Sequence, residues 1–150
     1  MRQSLIRATK ATKLPLASIQ KELDLINQNL PKPRWVVRSH ESDQGSGTEI
    51  EGNYTLKTFA KTWEFLNTAA MHAQKARHHP TITTTYNRIK FTITTHDVGN
   101  QITNKDIRLA QAIESSYSTN FADIGRVAQV KRPESSLKEA SKIINDLTKK

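Results

Sequence analysis

Residues 59–94 read FAKTWEFLNTAAMHAQKARHHPTITTTYNRIKFTIT, and a change of hydrophobic period within this stretch decides the fold. Its first half repeats apolar residues at helical spacing, which predicts an amphipathic helix with Thr58 as its N-cap. Pro80 disfavours a helical conformation at the residue before it, so we expect the helix to end at or just before the histidine pair. The apolar face predicted for this helix consists of Phe59, Trp63, Leu66, Ala70 and Ala73.

The second half of the stretch alternates apolar and polar residues, which is typical of half-buried strands. A tight turn between these two strands is predicted at Asn87-Arg88. Two further strands are predicted ahead of the helix, separated by the polar, glycine-containing segment 40–49, which is predicted to be a loop. The four predicted strands cover residues 34–38, 50–57, 82–86 and 89–94.

Two more helices flank these elements. Apolar residues recur at helical spacing over residues 16–30, between Pro15 and Pro31, and again up to Tyr117 behind a capping box of Thr103 and Asp106. The order is therefore α-β-β-α-β-β-α. It predicts an α+β fold in which a four-stranded antiparallel sheet has three helices packed on one face.

The two ends of the chain differ from this domain, which is predicted to span residues 14–118. Residues 1–13 form a basic leader with four positive charges and no acid. This composition is typical of a mitochondrial presequence, or of an ordinary disordered terminus, so the location is predicted to be cytoplasmic or mitochondrial. Residues 119–150 are predicted to be an extension with one short extra helix, capped by Ser136 and Glu139.

The composition excludes several kinds of site. The 150 residues include no cysteine, which excludes disulfides, a thiol nucleophile and thiolate metal ligands. No apolar stretch is long enough to span a bilayer, so the sequence predicts a soluble protein with no membrane partner. The formal charge is +9, but the basic residues are spread out and none of their runs is interleaved with aromatics, so a nucleic acid partner is not expected.

Three of the five histidines, His78, His79 and His96, fall within nineteen positions. A zinc site is one interpretation, but adjacent residues seldom direct both rings at one ion and no H-E-x-x-H pattern occurs. A Ser-His-Asp site has no nucleophile-elbow motif to support it. Acid–base chemistry suits imidazole, whose ordinary pKa of about 6.5 makes both protonation states available near neutrality. A surface or capping role is the fourth interpretation, and it is the one given to His40 and His72.

Four short motifs lie around these histidines at defined spacings. They are His78-His79-Pro80, Tyr86-Asn87-Arg88, Thr94-Thr95-His96-Asp97 and Ile102-Thr103-Asn104-Lys105-Asp106-Ile107. Taken together, they resemble the pterin-4a-carbinolamine dehydratase family. The resemblance extends more weakly over about residues 16–117, where it rests on the order of elements and on Trp35 at the start of a strand.

The resemblance implies a hydro-lyase that uses no metal and no organic cofactor. Its reaction would be the dehydration of 4a-hydroxytetrahydrobiopterin, the pterin-4a-carbinolamine, to quinonoid dihydropterin, in tetrahydropterin recycling. By motif position, His78 and His96 would be the acid–base pair around the 4a-hydroxyl, and His79 would bind and orient the pterin ring. Residues expected to bind substrate or support the site are Gln74, Pro80, Tyr86, Thr95 and Asp97.

Gln74 departs from the family, which usually has an ionisable residue, most often Glu, at this position. Glutamine retains hydrogen bonding but carries no charge, so lower activity or a shifted pH dependence is expected. Three of the supporting residues also have a plainer interpretation, with Pro80 and Asp97 serving loop geometry and Tyr86 packing in the core.

The resemblance also implies an alternative function as a protein-binding module. Family members are known as partners of a transcription factor, whose dimerisation helix they bind, and so act as transcriptional coactivators or dimerisation cofactors. A homodimer or homotetramer is expected on the same ground. The third predicted helix, from Ile107 to Tyr117, is the predicted self-association face.

Overall fold

The computed structural model describes residues 11–43 and 45–122 and contains the predicted order of elements. The helices and strands are α1 (Leu16–Ile26), β1 (Trp35–Ser42), β2 (Gly45–Thr55), α2 (Phe59–Ala76), β3 (Thr81–Thr85), β4 (Arg88–Ile93) and α3 (Asn104–Asn120). The four strands form one antiparallel sheet in the order β1-β2-β4-β3, which confirms the predicted α+β class. The first ten residues of the predicted leader and the predicted C-terminal helix lie outside the described residues.

The core lies between the three helices and one face of the sheet. On β4, Ile89, Phe91 and Ile93 are buried, whereas the residues between them point to the opposite, open face. Phe65 of α2 is fully buried, and its ring centroid lies 5.0 Å from that of Tyr54 on β2 and 5.9 Å from that of Phe91. Within the part of the chain that the structure describes, no helix is both long and apolar enough to cross a membrane.

The boundaries of α2 agree with the prediction, but its buried face does not. Thr58 caps the helix by accepting a hydrogen bond from the Lys61 N–H, and Arg77 ends it in the left-handed conformation, just before the histidine pair. The predicted apolar face is rotated by about one residue, because Phe65 rather than Trp63 packs against the sheet. Phe59 and Trp63 remain about half exposed, and the buried residues are Thr62, Phe65, Leu66, Ala69 and Ala73.

The loop predicted at residues 40–49 is wrong, because β1 and β2 continue through it as a long hairpin. Eight residue pairs join the two strands, from Trp35↔Gly52 near the core to Ser42↔Gly45 at the tip. Ser39, Glu41 and Ser46 near the tip are exposed. The apolar–polar alternation that reveals a half-buried strand is therefore missing there.

The turn between β3 and β4 lies one residue earlier than predicted. Thr85 pairs with Arg88, so Tyr86 and Asn87 form the two-residue turn. Tyr86 has a positive φ of 51°, and the Asn87 side-chain amide donates to the Leu56 carbonyl at 2.8 Å. This contact with the segment between β2 and α2 fixes the position of the turn.

The first helix ends at Ile26 rather than at the predicted Leu30. The side chain of Asn27 binds the incoming strand instead of continuing the helix. Its carbonyl oxygen accepts from the backbone N–H groups of Arg34 and Trp35, and its amide donates to the Trp35 carbonyl at 2.8 Å. These bonds fix the start of β1 against the end of α1.

The third helix has the predicted capping box but not the predicted self-association face. The Thr103 side chain accepts from a backbone N–H of the first turn, and the Asp106 carboxylate accepts from the Thr103 N–H. Ile107, Ile113 and Tyr117 are buried in the core. They are therefore not available as an exposed association surface.

A buried polar network joins the other end of α3 to the sheet. The Glu114 carboxylate accepts from the Tyr54 hydroxyl at 2.8 Å and pairs with the Arg34 guanidinium, which lies 4.4 Å from the ring centroid of Tyr117. The Trp35 indole N–H donates to the Tyr54 hydroxyl at 2.8 Å. Burial, followed by the neighbouring Glu114 carboxylate, raises the pKa of Tyr54 well above its ordinary value.

Candidate active site

Two chain reversals bring the three histidines to the same end of the sheet, just before β3 and just after β4. Arg77 has a positive φ of 49°, so the chain turns sharply after α2, and His78 and His79 follow directly. After β4 the chain enters a single 3₁₀ turn, His96–Val98, whose first residue is the third histidine. His96 thus lies just beyond the end of β4.

His78 is held by a carboxylate that is completely buried. Its Nε2 lies 2.6 Å from Oδ1 of Asp106, whose side chain is 0% exposed. The other carboxylate oxygen accepts from the Thr95 hydroxyl at 2.7 Å and from the Thr103 backbone N–H at 2.7 Å. Because Asp106 receives these bonds on all sides, it fixes the orientation of the His78 ring.

His96 and His79 are exposed to solvent at the same end of the sheet. Nδ1 of His96 lies 2.6 Å from Oδ1 of Asn100, an oxygen that can only accept a hydrogen bond. In the neutral ring, this contact places the proton on Nδ1 and leaves the lone pair on Nε2. Asn100 itself has a positive φ of 55° in the short loop that follows the 3₁₀ turn.

Two adjoining cavities meet at these histidines. One, of about 250 Å³, is lined by all three histidines together with Thr95 and Asp97. The second, of about 160 Å³, is bounded by the open face of the sheet and shares His79, Thr94 and His96 with the first. Each alone is smaller than a typical ligand pocket of roughly 300 Å³ or more, so we treat them as one cleft, the histidine cleft.

The histidine cleft unites five of the eight residues predicted for the site. His78, His79, His96, Thr95 and Asp97 line it, with Thr95 buried and bonded to Asp106. Gln74 and Pro80 flank the cleft in the sequence but do not line it.

Tyr86 lies at the opposite end of β3 from His79 and takes no part in the histidine cleft. It is 67% exposed, so the expected core packing is wrong. Its ring stacks on Phe59 at a centroid distance of 6.5 Å.

Several residues in or behind the cleft were not predicted as site residues, among them Asp106, Asn100, His40 and Glu49. Asp106 was predicted as part of the capping box and of a motif that carries the resemblance, but its bond to His78 was not predicted. Asn100 bonds His96 from the loop that follows. His40 and Glu49, which line the smaller cavity, fall in the segment predicted to be a loop. Among the described residues, no three His, Asp or Glu side chains are grouped so as to hold a metal ion.

Comparison with known proteins shows the family to which the chain belongs. The family model described as pterin 4 alpha carbinolamine dehydratase matches residues 12–116. The chain belongs to this family. Within the pterin-4a-carbinolamine dehydratases, it is 35% identical over 83 residues to a provisionally named member from Novosphingobium aromaticivorans, covering 55% of this chain and 79% of the relative.

Other dehydratase relatives extend the likeness. A provisionally named member from Cyanothece sp. is 34% identical over 98 residues, which is 65% of this chain and 92% of the relative. The crystal structure of a transcriptional coactivator/pterin dehydratase from Brucella melitensis matches with a TM-score of 0.55 and 24% identity, covering 69% of this chain and 97% of that one. At this identity the crystal structure supports the fold of the dehydratase domain alone.

Proposed function

We propose that this protein dehydrates 4a-hydroxytetrahydropterins to quinonoid dihydropterins and so serves tetrahydropterin recycling. The observation that carries the proposal is the convergence of His78, His79 and His96 on one cleft, with His78 bonded to a buried carboxylate. Dehydration removes a hydroxyl group and a proton, which leave together as water. It therefore requires one proton donor and one proton acceptor close to the same ring.

His78 is suited to be the proton donor. Its Nε2 is engaged by Asp106 at 2.6 Å, so the remaining ring nitrogen is the one that can serve the substrate. The carboxylate fixes the orientation and the tautomer of the ring, as a buried Asp does for histidine in other acid–base sites. In this role, protonated His78 gives its proton to the departing 4a-hydroxyl.

His96 is suited to be the proton acceptor. Its bond to Asn100 places the proton on Nδ1, so Nε2 can take a proton from the substrate. The exposed ring of His79, which lines both cavities, would bind and orient the pterin.

The departure at Gln74 does not remove negative charge from His78. The carboxylate that touches the His78 ring is Asp106, and the Gln74 side chain does not line the cleft. We therefore expect dehydration to persist despite the glutamine.

The test is the dehydration of freshly generated 4a-hydroxytetrahydropterin, followed by ultraviolet absorbance. Wild type should accelerate the reaction, and His78→Ala should lose roughly 10²-fold or more of that acceleration, the usual contribution of one general acid or base. His72→Ala is the matched control, because His72 bonds Ser116 between α2 and α3 and lies outside the cleft. A well-folded wild type without acceleration would refute the proposal.

A second proposal concerns protein association, and the observation that favours it is an exposed apolar surface on α2. Phe59, Trp63 and Met71 are 53%, 48% and 70% exposed. Large apolar side chains grouped on one helix commonly mark a protein interface. We propose that this surface supports a homodimer or homotetramer, or binds a helix of another protein.

Light scattering of wild type and Trp63→Ser tests the self-association. The proposal expects the variant to have a lower mass and an unchanged dehydration rate per site. A monomeric wild type would rule out the homo-oligomer.

A further inference from the structure

The smaller cavity of the histidine cleft has a second wall that comes from the long β1–β2 hairpin. Strand register places Glu49 opposite Arg38 and His40 opposite Gly47, so both His40 and Glu49 point to the open face of the sheet. They line the cavity across from His79 and His96. The hairpin thus adds a carboxylate and a fourth imidazole to the cleft.

The carboxylate of Glu49 is not engaged by a strong partner among the described residues. Glu51, two residues further on the same face, pairs with Arg38 at 3.2 Å and with Lys90 at 3.4 Å. Glu49 has only Nδ1 of His40, at 3.8 Å, which is too long for a hydrogen bond. Of two neighbouring glutamates, one is neutralised by two cations and the other is left facing the cavity.

The matching nitrogen of His40 is also unsatisfied. Its Nδ1 is buried and has no hydrogen-bond partner among the described residues. A buried polar atom without a partner is costly, and such atoms are often completed by a ligand or by a small adjustment on binding. A shift of less than 1 Å would let Nδ1–H donate to Glu49.

The hairpin is shaped to hold this ring in place. A Cβ on Gly47 would lie 2.6 Å from both Cε1 and Nε2 of His40, closer than real Cβ contacts allow. Only glycine at this position leaves room for the imidazole against the opposite strand. The close approach of the opposite strand at Gly47 therefore fixes the position of the His40 ring beside Glu49.

We infer that Glu49 recognises the aminopyrimidine edge of the pterin and that His40 is its positioning residue. The inference rests on the proposed dehydratase function. The pterin presents two adjacent donors, the 2-amino group and N3–H, in the same fork geometry that makes guanidinium bind carboxylates in a bidentate way. One carboxylate in the smaller cavity satisfies both donors, while the larger cavity holds the reacting side of the ring near His78.

Pterin and lumazine are the probes, because lumazine carries an oxygen in place of the 2-amino group. Dissociation constants are measured by ligand fluorescence for wild type, Glu49→Gln and the control Glu51→Gln. Wild type should bind pterin about tenfold or more tightly than lumazine, because lumazine lacks the 2-amino donor of one charge-assisted hydrogen bond. Glu49→Gln should lose this preference, and Glu51→Gln should keep it.

Kinetics provide a second measurement of the same inference. In the dehydration assay, Glu49→Gln should raise KM about tenfold with kcat nearly unchanged, because the lost contact exists equally in the ground and transition states. A fall in kcat at constant KM would overturn the recognition role.

His40 is tested by rescue. His40→Ala should reduce the preference for pterin, and His40→Asn should restore most of it, since the asparagine amide places an N–H donor near the position of Nδ1. Gly47→Ala, which displaces the ring without removing it, should resemble His40→Ala. Equal loss in His40→Ala and His40→Asn would overturn the positioning role.

The outcomes separate this inference from the proposed function. A wild type that dehydrates its substrate while Glu49→Gln keeps the full preference for pterin overturns the inference alone. A wild type that neither dehydrates nor binds pterin overturns both. Circular dichroism melting of each variant shows that the losses do not come from unfolding.

Discussion

Helix α3 carries two buried carboxylates, Asp106 and Glu114, eight residues apart on one helix. Each accepts several hydrogen bonds and each has one basic partner. Asp106 is bonded to His78, whose ring reaches the histidine cleft, whereas Glu114 is bonded to Arg34, which is stacked on Tyr54 and Tyr117. The two sites lie about 12 Å apart along the helix.

The difference between the partners separates function from structure. Arginine stays protonated at any pH that the fold survives, so the Glu114 network can only hold β1, β2 and α3 together. A histidine ring can both donate and accept a proton, so the Asp106 site can take part in proton transfer. Similar carboxylates on one helix thus stabilise the fold at one end and, under the proposed function, assist chemistry at the other.

The largest effect is expected from Asp106→Asn, which removes the charge beside His78. The kcat of dehydration should fall roughly 10²-fold or more, because the ring loses the partner that fixes its orientation and its tautomer. The weakened cap of α3 should also lower the free energy of unfolding by about 1 kcal/mol.

Steady-state rates and urea unfolding measure the two effects, with Asp24→Asn on the exposed side of α1 as the control. An unchanged kcat with lower stability would reduce Asp106 to a helix cap and remove the contrast between the two carboxylates.

Glu114→Gln should affect stability and leave catalysis alone. It leaves the Arg34 guanidinium, whose side chain is 19% exposed, without its counter-charge, and breaking such a pair costs about 3 kcal/mol. Urea unfolding measures this loss. The kcat per folded molecule should stay within about twofold of the wild-type value.

The exposed pair of Lys61 and Glu64 is the matched control, since both side chains are about half exposed. Glu64→Gln should cost less than about 0.5 kcal/mol. Equal costs at Glu64 and Glu114 would contradict the structural role of the buried network.

Tyr54→Phe should destabilise the protein moderately and flatten its alkaline stability profile. The variant loses the donor to Glu114 and the acceptor for the Trp35 indole, which together cost about 1–2 kcal/mol. Because the pKa of Tyr54 is raised in the fold, the wild-type contribution is complete below pH of about 10 and is lost as the pH rises above it.

Urea midpoints measured from pH 8 to 11 check this prediction. Wild type should lose stability more steeply than the variant above a pH of about 10. Parallel profiles would show that Tyr54 ionises in the fold as easily as in the unfolded chain.

The smallest effect is expected from the Asn100 side chain, whose amide oxygen sets the tautomer of His96. Asn100→Ala should lower kcat by roughly threefold to tenfold, the worth of one neutral hydrogen bond, and Asn100→Asp should retain the acceptor and most of the rate. A rate in Asn100→Ala equal to wild type would mean that His96 needs no fixed tautomer.

The parts of the fold that were predicted correctly are those in which the spacing of apolar residues along the sequence matches the residues that the fold buries. The boundaries of α2 follow from Thr58 and from Pro80, and β4 follows from its buried Ile89, Phe91 and Ile93. The buried face of α2 was misjudged because Trp63 and Phe65 are both aromatic and helical spacing alone does not decide which of them meets the sheet.

The candidate site was predicted only as far as its motifs extend. The grouping of His78, His79 and His96 was predicted, and the structure brings them together. Asp106 was assigned to the capping box and to a family motif, but neither pattern indicates that it bonds His78. His40 and Glu49 could not be found, because their contribution depends on the register of a hairpin whose exposed tip has no apolar face. Which residues of two strands pair with each other cannot be read from the composition of either strand alone.

The β1–β2 hairpin has a further consequence for how such a protein can diversify. The pairing of its strands is fixed at the inner end, because a Cβ on Gly52 would lie 2.6 Å from the Trp35 indole. The hairpin can therefore change in length only at its free tip. One residue can therefore be added to or removed from each strand at the tip without changing any pair nearer the core. Evolution or a protein engineer can therefore change the hairpin length two residues at a time, which reshapes one wall of the cleft while the buried core and His78, His79 and His96 stay as they are.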